Sequence, residues 1–384
     1  MRVALFYQSL LSDWNHGNAH FLRGLVSELM ARGHQARVFE PQDSWSYGNL
    51  LRFHGTSFLE GFRRAFPGLS STRYNEPTLD LEAELDAVDL VLVHEWNTPA
   101  LISRIAGYRK RHSCRVLFHD THHRCVTDTA HVTLPALENY DGVLAFGDSV
   151  SDRYRRMGWG ARVWTWHEAA DIRVFRKLTP SEPRKDLVWV GNWGDEERTQ
   201  ELEQFFIAPV RDLKLRTHAY GVRYPDDARQ RLQAAGIAYK GWVPNYDVPE
   251  VFSRFKATVH IPRRPYREAL PGVPTIRVFE ALACGIPLIS APWDDSEGLF
   301  REGRDFLIAR DGAEMTRLLK LVLNDESIAR SLSASGMETI LARHTCAHRV
   351  DELLGIYRRL GSPAIRDQAP AQLPITAAWC GEEG

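Results

Sequence analysis

The sequence predicts an α/β fold with two domains, each built on a doubly wound parallel sheet. Its 384 residues exceed the size at which a single hydrophobic core usually stops growing. Short apolar runs alternate with helical patterns along the chain, which is typical of βαβ units. Two such series, joined near residues 168–185, account for the length. We therefore predict domains at 1–168 and 169–346.

The first domain begins with the strand "RVALFYQ" (2–8). A helix follows over 18–34, because its apolar residues share one stripe and Gly33 is a helix-stopping residue. Further strands are predicted at 36–40, 89–93, 115–118, 142–146 and 162–166. Residues 50–66 mix phenylalanines with arginines. We interpret this stretch as a helix packing its aromatic stripe on the core, with binding of a lipid-linked acceptor at a membrane surface as the alternative.

The second domain repeats the alternation after residue 184. Its strands are predicted at 187–190, 215–221, 237–243, 257–261, 286–290 and 305–309. A terminal amphipathic helix covers 347–360, and we expect the segment 347–362 to pack back toward the N-terminal domain. The tail 363–384 is rich in proline and alanine and is expected to be loosely ordered.

The bulk composition excludes several classes of protein. The formal net charge is −1, so no overall basic field favours nucleic acid. No apolar run reaches transmembrane length, and no signal-peptide pattern precedes the first strand. The five cysteines are scattered without a C-x-x-C pair, which disfavours a disulfide framework or a thiolate zinc site. We therefore expect a cytoplasmic protein.

Residues just after the strands form the candidate site, because ligands of open parallel sheets bind at the carboxyl ends of the strands. The loop 12–21 opens a helix, and Asn15, Gly17 and Asn18 can leave backbone N–H groups free for an anion or a hydroxyl. Ordinary helix capping explains this loop equally well. No G-x-G-x-x-G fingerprint is present, so a nicotinamide cofactor is not expected.

A denser polar cluster follows the strand at 115–118. It contains His119, Asp120, His122, His123 and Asp128. A metal site needs three or four convergent ligands, whereas the adjacent His122 and His123 diverge on a strand or helix. We therefore favour a polar turn facing the cleft between the domains, with one histidine contacting a substrate, and expect no bound metal.

The helix that starts at Pro274 or Thr275 is the strongest candidate for an anion site. Free N–H groups at a helix start and the positive end of its dipole suit a phosphate. Arg277 can then bind an anion, and Glu280, on the same face, can accept two hydroxyls, as from a ribose. An Arg–Glu pair on a solvated face is the alternative, but the flanking residues are apolar. The run 263–268 adds three arginines, which favours a diphosphate.

Several stretches resemble the group 1 glycosyltransferases of GT-B fold, which transfer sugar from a nucleotide sugar. They are "HEAADIRVFRK" (167–177), "VWVGNWGDEERTQEL" (188–202), "YKGWVPNYDVPEVFSRFKATVHIPRR" (239–264) and "PTIRVFEALACGIPLISAPWDDSEGLFREGRDFLIA" (274–309). "GNAHFLRGL" (17–25) and "HTCAHRVDELL" (344–354) are similar to the spore-maturation-like branch. The resemblance covers nearly the whole chain. It implies two Rossmann-like domains facing a central cleft, with the acceptor on the first domain and the donor on the second.

The resemblance also implies donor-binding residues. Glu280 matches the second glutamate of the family's Glu-x7-Glu motif, which holds the nucleotide ribose, and Gly272 stands at the place of the first. Arg198, with one of Arg263, Arg264 or Arg277, would clamp the diphosphate. The other expected donor contacts are Gly191, Asn192, Val273, Pro274 and Thr275.

On the acceptor side, His119 fits the place of the family's histidine, with His122 and His123 as rivals. We expect His119 and Arg277 to be catalytic, and Asn15, Gly17 and Asn18 to lie nearby.

Together these features predict a glycosyltransferase that moves a sugar from a nucleotide-diphosphate sugar to an unidentified acceptor. The resemblance implies retention of the anomeric configuration, with neither metal nor another cofactor. The acceptor could be a glycan, a lipid-linked molecule or a small molecule, so peripheral membrane contact stays open. Two alternatives also stay open. One is a nucleotide-sugar epimerase on the same fold. The other is a non-catalytic nucleotide-sugar-binding protein, which is considered because Gly272 stands in place of the family's glutamate.

Overall fold

Two parallel sheets organise the chain, as the alternating apolar runs predict. The structure is a computed structural model that describes residues 1–123, 125 and 137–361. The predicted tail 363–384 and Asp128 of the polar cluster lie outside these residues. Seven strands form the first sheet and six form the second.

The first sheet belongs to the N-terminal half of the chain. Its strands are β1 Arg2–Phe6, β2 Gln35–Pro41, β3 Ser71–Tyr74, β4 Leu90–His94, β5 Arg115–Asp120, β6 Gly142–Ala145 and β7 Val163–Thr165. Its helices are α1 Ala19–Ala31, α2 Trp45–His54, α3 Ser57–Ala65, α4 Leu81–Glu84, α5 Pro99–Arg111 and α6 Asp148–Tyr154. The strand order is β3-β2-β1-β4-β5-β6-β7, so the order reverses between β1 and β4.

The second sheet follows the same plan. Its strands are β8 Lys185–Val190, β9 Thr217–Tyr220, β10 Ala238–Tyr239, β11 Phe255–His260, β12 Leu288–Ser290 and β13 Leu307–Ile308. Its helices are α7 Thr199–Leu202, α8 Ala208–Leu213, α9 Asp226–Ala234, α10 Val248–Ser253, α11 Arg264–Ala269, α12 Ile276–Ala283, α13 Gly312–Asn324 and α14 Glu326–Arg343. The order β10-β9-β8-β11-β12-β13 reverses between β8 and β11.

Helices cover both faces of each sheet, which explains why the central strands read as continuous apolar runs. All five residues of β4 are buried, and the last four residues of β1 and β8 are buried as well. The two points of reversal are where open α/β sheets bind ligands. The loops after β1 and β4 in the first domain, and after β8 and β11 in the second, are therefore expected to contribute to the candidate site.

The stretch 50–66 is not one helix. Gly55 has φ of +65°, a left-handed conformation that suits glycine, and it separates α2 from α3. Phe58 and Phe62 of α3 are buried, as the core-packing interpretation expects, whereas Phe53 of α2 is 58% exposed. No helix among the described residues is long and apolar enough to cross a membrane.

The C-terminal helix, α15 Cys346–Leu360, lies against α1 of the first domain. Arg32 at the end of α1 donates a hydrogen bond of 3.0 Å to the carbonyl of Ala347. The segment that joins the domains is held beside the same helix, because the Trp166 indole N–H donates to the carbonyl of Arg349 at 3.0 Å. The last described helix therefore lies beside the first helix of the chain, and the predicted domain bounds stay a prediction.

Candidate functional site

A cavity of 700 Å³ opens between the carboxyl edges of the two sheets. Its first-domain wall includes the predicted residues Asn15, Gly17, Asn18, His122 and His123. Its second-domain wall includes the predicted residues Gly191, Asn192, Arg198, Arg263, Pro274, Thr275 and Arg277. The loops that sequence patterns singled out one by one are therefore brought together in one cleft.

Three arginines of the second domain converge on this cavity. Arg198 is 9% exposed and donates to the carbonyls of Ile261 at 2.9 Å and Trp193 at 3.3 Å, so it also shapes the loop after β8. Burial, with the nearby Arg263 and Arg277 guanidinium groups acting in the same direction, lowers the pKa of Arg198 to about 9. Like charges held together in a buried site repel one another, and an anion that binds between them offsets this repulsion.

The start of α12 faces the same cavity as these arginines. Pro274, Thr275 and Arg277 all line the cavity, and the first turn of this helix carries no acidic residue. Thr275 is the N-cap but makes no side-chain capping bond, so its hydroxyl leaves the N–H groups of the first turn uncapped. A helix start of this kind attracts an anion through its free N–H groups and its dipole.

A buried histidine fixes the Thr275 hydroxyl. His260 at the end of β11 contacts Ser290 Oγ through Nδ1 at 2.9 Å and Thr275 Oγ1 through Nε2 at 3.1 Å. Ser290 donates its hydroxyl to the carbonyl of Ala291, so His260 Nδ1 donates and Nε2 accepts. Burial lowers the pKa of His260 to about 3, so the ring is neutral near pH 7. The Thr275 hydroxyl therefore donates to His260, and His260 donates to Ser290.

Glu280 does not line the cavity. Its side chain is fully buried, and its Oε1 lies 2.8 Å from Nδ1 of His20 in α1. The N–H of Asp171 donates to His20 Nε2 at 2.8 Å, so Nδ1 carries the proton and donates to Glu280. The other oxygen, Oε2, is bonded to Arg277. Both oxygens expected to receive ribose hydroxyls are thus bonded to protein groups, and the bond to His20 joins the two domains.

His119 was expected to project into the cleft, and its position differs from that expectation. It is 1% exposed and lies beside the rings of Tyr7, Phe21, His94 and Trp166. Its Nδ1 is 2.7 Å from the Tyr7 hydroxyl, and burial lowers its pKa to about 3. The strand β5 continues to Asp120, two residues beyond its predicted end, so His119 is still inside the sheet layer.

The two neighbouring histidines do reach the cavity. His122 and His123 line it, and their ring centroids lie 6.1 Å and 5.2 Å from that of Tyr266 in α11 of the second domain. Gly17 is a second point of close approach, because a Cβ atom there would lie 3.1 Å from Ile276 Cγ2 of α12. Asn192 also donates across the cleft to Asn15 Oδ1. The two walls are therefore in direct contact around the cavity.

Comparison with known proteins agrees with this architecture. Residues 198–355 match the family described as glycosyl transferase-like. Among solved structures, the chain is similar to a sucrose-phosphate synthase from Thermosynechococcus elongatus, with 15% identity, a TM-score of 0.64 and coverage of 94% of this chain and 99% of that one. No curated protein matches the chain.

Two further solved structures show the same fold. Anabaena Alr3699/HepE in complex with UDP and glucose is 14% identical, with a TM-score of 0.66 and coverage of 94% of this chain and 100% of that chain. An alpha-glucosyltransferase in complex with UDP and a 13-mer DNA is 13% identical, with a TM-score of 0.67 and coverage of 93% and 99%. The chain has a GT-B fold, and its residues 198–355 match the glycosyl transferase-like family.

The remaining predicted donor residues of this GT-B protein lie behind or beside the cavity. Gly272 has φ of +84°, and a Cβ atom there would lie 2.7 Å from Ser296 Oγ and from Glu297 Cγ. Glycine is therefore required where the family's first glutamate is expected. Val273 is buried, and Arg264 lines a separate cavity of 810 Å³ next to the GT-B cleft.

Several residues of the GT-B cleft were missed by sequence reasoning. They are Trp45, Glu168, His260 and Tyr266. His260 is the last residue of β11, so the rule that located the other residues could have found it. Trp45 and Tyr266 begin or occupy short helices, and no local pattern distinguishes them from surface aromatics.

A metal centre is not evident in the described part of the chain, where no group of three or more His, Cys, Asp and Glu side chains converges. Asp128, the last member of the predicted polar cluster, lies outside that part. Metal independence therefore stays a prediction.

Replacement of His119 by alanine is expected to lower the free energy of unfolding by about 2 kcal/mol, because it removes a buried ring and the partner of the Tyr7 hydroxyl. Melting temperature and turnover measured on the same sample distinguish this from a catalytic role. His112→Ala is the control, since that side chain is 37% exposed. An unchanged melting temperature with a strong loss of transfer would restore His119 as a catalytic residue.

Proposed function

We propose that the protein transfers a sugar from a nucleotide-diphosphate sugar to an acceptor bound on the first domain. The observation that carries this proposal is the convergence of Arg198, Arg263 and Arg277 on the uncapped start of α12. Buried cations at a helix start form a site for a diphosphate, which is the leaving group of such a donor. The similar HepE and alpha-glucosyltransferase structures contain UDP, which supports a nucleotide ligand.

The chemistry requires little from the protein beyond binding and charge stabilisation. The bond between the anomeric carbon and the diphosphate oxygen breaks, the acceptor oxygen bonds to that carbon, and the acceptor hydroxyl gives its proton to the departing diphosphate. Negative charge grows on the diphosphate as it leaves. Arg263, Arg277 and the α12 N–H groups stabilise that charge in the cleft, from which the two contacting walls exclude water.

The first-domain wall supplies the acceptor side in this proposal. His122 and His123 line the cavity opposite the arginines and replace His119 as the histidines nearest the reacting groups. Asn15, Gly17 and Asn18 complete this wall. The proposal has further parts that rest on the sequence. They are the domain division at 168/169, retention of configuration, membership of the spore-maturation-like branch, a cytoplasmic site of action and peripheral contact with a membrane-bound acceptor.

Thermal-shift measurements test the nucleotide part of the proposal. UDP, GDP, ADP and inorganic pyrophosphate are each compared at concentrations well above their dissociation constants, where a ligand that binds the folded state raises the melting temperature by mass action. We expect one nucleoside diphosphate to raise it more than pyrophosphate does. Failure of all four to shift the melting temperature would overturn the proposed site.

A further inference from the structure

Glu168 is a buried acid at the junction of the two domains. It follows β7 in the connecting segment, and it is 4% exposed at the wall of the cavity. Its backbone is held on both sides, because His167 Nε2 lies 2.6 Å from Glu297 Oε2 and the N–H of Ala170 donates to the carbonyl of His344 at 2.9 Å. The backbone position of Glu168 is therefore fixed before any ligand binds.

The carboxyl itself has no such support. Its Oε1 is buried and has no hydrogen-bond partner among the described residues. Leaving a buried polar atom unpaired costs free energy, so each case in a folded protein calls for an explanation such as a missing ligand. Since Glu168 lines the cavity, a ligand bound there can supply the missing partner.

The charges around Glu168 indicate which kind of ligand fits. Burial, together with the Glu280 carboxylate, raises the pKa of Glu168 to about 8 against the opposing effect of the Arg277 guanidinium. The Tyr266 ring also faces this region, and the Glu168 charge contributes to the raised pKa of its hydroxyl. Near pH 7 Glu168 is therefore mainly the neutral acid, with one O–H donor and one free carbonyl oxygen. This pairing of donor and acceptor matches a hydroxyl group and not a phosphate.

We infer that Glu168 binds a hydroxyl of the sugar that is transferred, donating one hydrogen bond to it and accepting another. The inference rests on the proposed function, because it takes the arginine cluster as the diphosphate site. Arg277 belongs to that cluster and acts on Glu168 electrostatically, so the group bound by Glu168 is a near neighbour of the diphosphate. Glu168 lies between the domains, where the transferred sugar must meet the acceptor, whereas the nucleotide belongs to the second domain.

Paired binding measurements test the inference with the full chain. The probes are UDP with UDP-glucose and UDP-N-acetylglucosamine, GDP with GDP-mannose, and ADP with ADP-glucose. The variants are Glu168→Ala and Glu168→Gln. The control is Glu182→Gln, because Glu182 is an exposed residue of the same connecting segment. We expect Glu168→Ala to weaken binding of the preferred nucleotide sugar about tenfold and to change affinity for its nucleoside diphosphate less than about twofold.

The pH dependence gives a second readout that a structural role would not produce. As the pH rises through about 8, the Glu168 carboxyl ionises and loses its O–H donor, so wild-type affinity for the nucleotide sugar is expected to fall while affinity for the diphosphate alone changes less. Glu168→Gln keeps a donor and an acceptor at every pH, so it should bind the sugar better than Glu168→Ala and lack this decline.

Three results would overturn the inference. Equal loss of diphosphate and nucleotide-sugar affinity in Glu168→Ala would place the side chain at the nucleotide. Unchanged affinity for both would leave it without a ligand. A wild type that binds none of the diphosphates would overturn the proposed function, and this inference with it, whereas the first two results leave the proposed function intact.

Discussion

Replacement of Arg277 by alanine should lower the rate of sugar transfer about 10²–10³-fold, the usual effect of removing one donor that stabilises developing charge. Arg277 lines the cavity at the start of α12 and is 21% exposed, so it can contact a bound diphosphate. The measurement is kcat/KM for the preferred nucleotide sugar, corrected for the folded fraction because Glu280 loses a partner at the same time. Arg277→Lys keeps a cation, so its kcat/KM should lie between those of the wild type and Arg277→Ala.

The matched control is Arg267→Ala. Arg267 lies in α11 of the same domain, is 37% exposed and pairs with Glu268 on the surface. This variant should transfer sugar at a rate within about twofold of the wild type, since exposed pairs contribute little. If Arg277→Ala and Arg267→Ala had the same kcat/KM, the arginine cluster would not be the diphosphate site.

Replacement of Glu280 by alanine should lower the free energy of unfolding by about 3–5 kcal/mol, the usual cost of removing one partner from a buried charged pair. Glu280 is fully buried, and its loss leaves the Arg277 guanidinium and the proton of His20 Nδ1 without their acceptor. Urea unfolding measures the change. Glu280→Gln should lose less stability than Glu280→Ala, since the amide oxygen can still accept one of the two hydrogen bonds.

Nucleotide affinity measured on the same variant separates this bridging role from the ribose contact predicted from the sequence. Glu268→Ala is the control for stability, because that carboxylate is 60% exposed. Normal stability combined with a ten- to hundredfold loss of nucleoside diphosphate affinity would show that Glu280 turns toward the ribose and that the buried pair is not its main role.

The fold could be predicted because its signals are local. The strands β1, β4, β5, β8 and β11 are buried apolar runs, and each lies within or close to its predicted range. The strand β3 was missed since "STRY" is short and only its last residue is buried. The stretch 237–243 has the composition of a seven-residue strand, but pairing with β9 involves only Ala238 and Tyr239.

The site could be predicted only to the level of loops. Residues after parallel strands gather at one edge of a sheet, so the sequence identifies the walls of the cleft without the orientation of each side chain. The helix α12 is apolar on almost every face, so spacing alone could not show that Arg277 faces the cavity while Glu280 faces α1. Glu168 was missed because a single glutamate in an irregular connection carries no periodic signal.

The most direct test of glycosyl transfer is an incubation of the wild type with nucleotide sugars in EDTA, with the nucleoside diphosphate and the sugar products measured separately. We expect release of nucleoside diphosphate with slow hydrolysis, or transfer when an acceptor is present, at a rate that EDTA leaves unchanged. Conversion of one nucleotide sugar into another without release would indicate an epimerase, and binding without any turnover would indicate a non-catalytic protein. Complete loss in EDTA, restored by one divalent ion, would instead assign a metal to the His119–Asp128 cluster.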